Sequence, residues 1–159
     1  MMIVSGGQTG ADRGAMEAAM DCGVSHFGFC PKGRLAEDGT IPATYNVYEL
    51  KTKSYPERTN RNVEYADATL VFYSEEIEGG TALTIKSAQN HNRPYCIVNV
   101  SHPDYLSQID GVREWMNGKN ILVLNVAGPR ESKVPGMQEK VREFMKRLIH
   151  LWKDAWLAS

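Results

Sequence analysis

The chain has 159 residues, 42% of them apolar, and a formal net charge of -1. That length fills one core and is short for two ordinary domains, so one domain over residues 1–159 is expected. The near-neutral balance excludes the broad basic footprint of a non-specific nucleic-acid binder, and any positive potential must be local.

The first element is a strand over 1–5 (MMIVS), which breaks into GGQTGADR and then a helix over 11–21. A second strand is expected over 26–30 (HFGFC), followed by CPKGRLAEDGTIP, a stretch too long for an ordinary strand-to-helix connection and therefore a candidate functional loop. A weaker strand follows over 46–50, a helix over 58–65, and strands over 69–74 (TLVFYS), 95–100 (YCIVNV) and 120–126 (NILVLNV), with helices over 81–91 and 103–116 between them. The closing helix is the clearest. Val141, Phe144, Met145, Leu148, Ile149, Trp152 and Trp156 recur at helical spacing and read as a core stripe. Strands alternating with helices, several of them apolar on both faces, imply an α/β fold: a Rossmann-like three-layer sandwich with a mostly parallel sheet and helices on both sides.

Cys22, Cys30 and Cys96 are odd in number, widely spaced and without a CxxC pair. They read as buried small apolar residues, not as a disulfide framework or a zinc site. No histidine pair has metal-ligand spacing, so no metal site is expected. No run approaches the ~18 consecutive apolar residues of a membrane span, and the N-terminus reads into a strand without a signal peptide. No membrane partner and a cytoplasmic location are expected.

In a parallel α/β sheet the strand-to-helix loops open on one edge, where ligands bind. Here those loops are GGQTGADR, PKGRLAEDG, EEIEGGTALT, SHPD and AGPRES, and the helix in ERTNRNVEYAD lays Arg58 and Arg61 near the same edge. The opening loop is an incomplete dinucleotide fingerprint, with Ser5, Gly7 and Gly10 at its three glycine positions. The acidic residue that grips a ribose about twenty positions later is missing, and Lys32 and Arg34 stand nearby, favouring a phosphate-bearing ligand over plain NAD. A GKS or GKT triplet is absent, which argues against a Walker-type NTPase.

Gly6, Gly7, Gln8, Thr9 and Gly10 are candidates to hold phosphate through backbone N–H and hydroxyl groups, followed at the helix start by Asp12 and Arg13. Gly79, Gly80, Thr81 and Thr84 form a second turn into a helix, either a second phosphate seat or only a turn with its cap. Lys32, Arg34, Arg58 and Arg130 are the candidate neutralising cations, the alternative for Arg130 being a structural pair with Asp12 or Glu131. Asp12 is either a helix cap or, with Glu78, a candidate acid or base; His102 is the histidine within reach of the edge.

GGQTGADRGA, CPKGRLAEDGTIP, ERTNRNVEYADATLV, GGTALT and LNVAGPRES, in this order, resemble the bacterial "putative molybdenum carrier protein" family, a circularly permuted branch of the SLOG superfamily of Rossmann-like nucleotide-binding proteins. The resemblance runs from Ile3 to about Trp152. It implies a glycine-lined site at the sheet edge, self-association as a homo-oligomer, and molybdenum cofactor, a phosphorylated pterin, as cargo; otherwise the ligand is a nucleotide. The same superfamily holds the lonely-guy type phosphoribohydrolases, whose Gly-Gly-x-Gly-Thr turn is followed by a catalytic Glu. Aligned on Gly79 and Gly80, this chain shows Thr81, Ala82, Leu83, Thr84, Ile85 and Lys86, with no acid. A binding protein for a phosphorylated heterocycle is therefore the first reading, and a hydrolase of nucleotides or their derivatives the second.

Overall fold

A computed structural model describes residues 1–159. The elements are β1 (Met2–Val4), α1 (Ala11–Asp21), β2 (Ser25–Phe27), β3 (Phe29–Cys30), β4 (Leu35–Ala36), β5 (Gly39–Thr40), β6 (Tyr48–Glu49), α2 (Tyr55–Tyr65), β7 (Ala68–Tyr73), α3 (Gly79–Asn90), β8 (Tyr95–Asn99), α4 (Ile109–Gly118), β9 (Val123–Ala127) and α5 (Met137–Leu157). Five strands form the main sheet in the order β2-β1-β9-β7-β8, every neighbouring pair parallel. This is the α/β, Rossmann-like arrangement expected. β9 enters last and lies between β1 and β7, pairing Ile3 with Leu124 and Leu70 with Val126.

The chain leaves β1 toward one side of the sheet and β7 toward the other, so the crevice at their carboxyl ends is the topological switch point where parallel sheets bind ligands. The loops after β1, β7 and β9 meet there. α1 packs along α5, which also meets α4, while α2 packs on α3. Val141, Phe144, Met145, Leu148 and Ile149 of α5 are fully buried, and the Phe144 ring meets Phe72 of β7 edge-on at 5.1 Å. Each such side chain contributes about 1.5–3 kcal/mol of transfer free energy. The stripe does not stay core to its end: Trp152 is half-buried, and Trp156 is 68% exposed and stacks on Trp152. α5 outruns the sheet it packs on, so helical periodicity continues after the partner surface has stopped.

Three other expectations are corrected. HFGFC is not one strand: β2 belongs to the main sheet, while β3 pairs in parallel with β6 in a separate two-stranded ribbon. The break falls at Gly28, where the chain crosses so close to the Ser5 carbonyl that no side chain fits. The 46–50 strand shrinks to two residues of that ribbon, outside the main sheet. The helix expected over 103–116 opens as a 3-10 turn, Tyr105–Gln108, before α4 begins. The long loop after β3 carries a small antiparallel hairpin, β4 with β5, which puts Glu37 and Asp38 at its tip.

Candidate functional site

Where β1 ends, the chain turns into α1 through GGQTG, and the N–H donors from Gln8 to Ala11 are already engaged. Gln8 N–H donates to Asp12 Oδ2 at 3.2 Å, Thr9 N–H to Gln8 Oε1 at 3.1 Å, Gly10 N–H to Gln138 Oε1 at 3.3 Å, and Ala11 N–H to the Pro129 carbonyl at 3.1 Å. The anion held in this turn is the protein's own Asp12 carboxylate. Arg58 reaches it from the first turn of α2, Nη1 to Oδ2 3.2 Å, with its guanidinium laid across Gly6. A Cβ on Gly6 would lie 2.8 Å from both Cδ and Cζ of Arg58. Gly10, at φ +80°, is crowded by backbone: a Cβ there would lie 2.7 Å from Glu131 N and closer still to the Pro129 carbonyl oxygen. These two glycines make room for protein rather than for ligand.

Burial pushes the Asp12 carboxyl above the ordinary carboxylate range, against the pull of Arg58 and of the Gln8 N–H. The Arg58 Nε is buried without a hydrogen-bond acceptor.

The second glycine turn differs. Glu78, in extended conformation, precedes α3 without capping it by its side chain, and its carbonyl accepts from Thr81 and Ala82 N–H. Gly79 and Gly80 stand at the first two helical positions, where N–H groups have no intrahelical acceptor. Nothing lies within 4 Å of a Cβ placed on Gly80. Lys133, from the loop after β9, reaches over this helix start and pairs with Glu78 at 2.7 Å. Thr84 turns its hydroxyl back to the Gly80 carbonyl at 2.9 Å.

The two turns face one cleft of about 450 Å³, lined mainly by polar residues. Of the residues expected at the site, Gln8, Asp12, Arg58, Glu78, Gly79, Gly80, Thr81, Thr84 and Arg130 line it. Gly6, Gly7, Thr9, Gly10, Arg13, Lys32 and Arg34 do not. Arg13 forks onto Asp38 with bonds of 2.6 and 2.8 Å and donates to the Gly7 carbonyl. Arg34 donates to the carbonyls of Ile41, Pro42, Tyr45 and Val47, tying its own loop together. Lys32 is exposed and away from the cleft. Arg130 pairs with neither Asp12 nor Glu131; its nearest acid is Glu37 at 3.9 Å, while Glu131 accepts from Gly136 and Gln138 N–H at the start of α5.

The loop after β3 acts as a strap over this edge. Glu37 accepts from the hydroxyls of Thr9 and Ser132 and from Ser132 N–H at 3.1 Å, binding the strap to the loops after β1 and β9. Burial raises the Glu37 pKa, yet the Ser132 and Thr9 donors outweigh it and hold the carboxyl below its usual range. Sequence reasoning missed Glu37, Lys133 and Tyr55, the last a cleft-wall aromatic under the Arg58 guanidinium. Lys133 stands one residue beyond AGPRES and was within reach of the loop argument; Glu37 could be recognised only once the strap was seen to fold back.

The family model described as "Circularly permutated YpsA SLOG family" matches residues 3–149. The chain belongs to that family. Among solved structures, the protein named "Putative molybdenum carrier protein" from Syntrophus aciditrophicus SB is similar to this SLOG chain, with a TM-score of 0.89 and 35% sequence identity over 92% of this chain and 93% of that one. No curated protein matches it significantly. Within this SLOG fold no group of three His, Cys, Asp or Glu side chains is arranged to hold a metal ion, and no helix is long and apolar enough to cross a membrane.

Proposed function

We propose that the chain binds a small phosphorylated heterocycle in the cleft between the loops after β1, β7 and β9. The observation that carries this reading is the open start of α3: Gly79 and Gly80, whose N–H groups have no intrahelical acceptor, line a cleft that Lys133 and Arg130 also line. Free N–H groups at the positive end of a helix dipole, with cations beside them, suit a phosphate. A volume of about 450 Å³ accommodates a ligand of nucleotide or pterin size.

The name of the similar Syntrophus protein makes molybdenum cofactor the first cargo to test. No Cys or Met lines the cleft, so a carried metal would keep the ligands of its own cofactor. Holding fits better than chemistry because no nucleophile with an oriented base stands in the cleft. A hydrolase is the second reading, supported by Asp12, a buried carboxyl of raised pKa in the cleft. We extend the proposal to a soluble cytoplasmic homo-oligomer.

Calorimetry and thermal shift against nucleoside monophosphates, pterin phosphates, molybdenum cofactor and molybdate test this. A ligand at about a hundred times its Kd adds roughly 2.7 kcal/mol of stability. Stabilisation without turnover supports the carrier, release of free base supports the hydrolase, and no response from any phosphate ester refutes the site.

A further inference from the structure

The charges around the cleft point to a narrower ligand class than "phosphorylated". Its cations are Arg58, Arg130 and Lys133, and each has an acid beside it: Asp12 at 3.2 Å, Glu37 at 3.9 Å and Glu78 at 2.7 Å. Two more acids line the same cleft, Glu75 and Glu76, on the turn that follows β7. Both are exposed, and neither carboxylate has an ion-pair partner in the protein. The cleft therefore has one donor-rich seat, at the start of α3, and an acidic side, Glu75 and Glu76, whose carboxylates have no ion-pair partner.

Resting on the phosphate-binding reading above, we infer that Glu75 and Glu76 restrict the cleft to ligands with a single phosphate, the rest of the molecule being uncharged, and exclude di- and triphosphates. One phosphate is served by Gly79 N–H, Gly80 N–H and Lys133. A second or third phosphate has only Arg130 left to meet, loosely held by Glu37 at 3.9 Å, and lies in the same cleft as two carboxylates without ion-pair partners. Like charges brought together there are repelled, and repulsion is how a site rejects a close analogue of its ligand. A site built for polyphosphates behaves in the opposite way, because each added charge strengthens attraction to a basic cleft.

Inorganic phosphate, pyrophosphate and tripolyphosphate, titrated in magnesium-free buffer and followed through the Gly79 and Gly80 amide signals, separate the two without assuming a heterocycle. The expected order of affinity falls with chain length, by about tenfold per added phosphate. In the double variant Glu75→Gln with Glu76→Gln the order reverses, tripolyphosphate gaining at least tenfold while phosphate changes little. A gain in affinity is an outcome that misfolding does not produce. Affinity rising with charge in the unaltered protein, or an order unmoved by the double variant, overturns the inference and leaves the phosphate site standing. No shift of Gly79 or Gly80 with any of the three anions removes the phosphate seat and this inference with it.

Discussion

Arg58 Nη1 lies 3.2 Å from Asp12 Oδ2, so the first turns of α2 and α1 are joined by an ion pair whose side chains are 15% and 5% exposed. The pair is asymmetric. Asp12 answers loss of its partner by keeping a proton, which Arg58 cannot match by giving one up. Replacing Arg58 by Met therefore raises the folded-state pKa of Asp12 further above its ordinary 3.8. A carboxyl with a raised folded pKa lends stability that is complete below the unfolded value and lost as pH rises through the folded one. Arg58→Met should approach the unaltered protein in stability near pH 4 and fall about 2–4 kcal/mol below it near pH 8. Urea unfolding across that range is the measurement, and a deficit independent of pH would contradict the assignment.

The two glycine turns should respond in opposite ways to alanine. At Gly10 a methyl group meets the Pro129 carbonyl and the Glu131 amide at a φ of +80°, so Gly10→Ala should lose at least about 3 kcal/mol. At Gly80 it meets nothing within 4 Å and stands in the first turn of a helix, where alanine is preferred by about 0.5 kcal/mol. Gly80→Ala should thus be as stable as the parent or slightly more so. It should also bind phosphate about tenfold more weakly, because the methyl group shields an N–H donor worth about 1.5–3 kcal/mol to a charged acceptor. Thermal melts with parallel titrations decide; a Gly80→Ala protein of unchanged affinity would place the anion elsewhere.

This contrast marks the limit of what the sequence could show. Apolar runs and the loops between them were sufficient for the parallel sheet, because burial on two faces leaves a pattern that depends on neighbours along the chain. Which glycines faced a ligand was not legible. Gly6 and Gly80 look alike in the string, yet Gly6 is covered by Arg58, fifty-two positions away, and Gly80 by nothing. Arg13 and Arg34 failed to reach the cleft for the same reason, since Asp38 and the carbonyls of residues 41–47 are brought to them only when the strap folds back. Trp156 shows the converse, a periodic stripe running past the surface that would bury it.

Lys133 offers a test of ligand binding separated from folding. Its pair with Glu78 joins side chains that are 45% and 55% exposed, and such pairs contribute about 0–1 kcal/mol. Lys133→Ala should leave the melting curve nearly unchanged. A phosphate seated at Gly79 and Gly80 loses a charge-assisted donor, and its affinity should drop about tenfold. Calorimetry with inorganic phosphate reads both the loss and its salt dependence, which should be weaker in the variant. Equal affinities in the two proteins would show that Lys133 serves only Glu78.

The strap formed by residues 31–50 should detach in acid before the sheet unfolds. Two of its anchors are carboxyls held below their usual values: Asp38 chiefly by the Arg13 fork, and Glu37 by the Ser132 and Thr9 donors that outweigh its burial. For carboxyls depressed in the folded state, the stabilisation is present above the unfolded values, 3.8 for Asp38 and 4.5 for Glu37, and disappears as pH falls through the folded ones. The main sheet is held by apolar burial, which does not titrate in this range. Pepsin at pH 3 should therefore cut first within residues 31–50 and leave the remainder intact. Glu37→Gln removes one anchor at any pH, so thermolysin at pH 7 should cut the variant in the same segment while sparing the parent. If both proteins resist equally, the Thr9, Glu37 and Ser132 contacts do not hold the strap, and its attachment must come from Arg13 with Asp38 and from the Tyr45 hydroxyl, which donates to Glu17 at 2.7 Å.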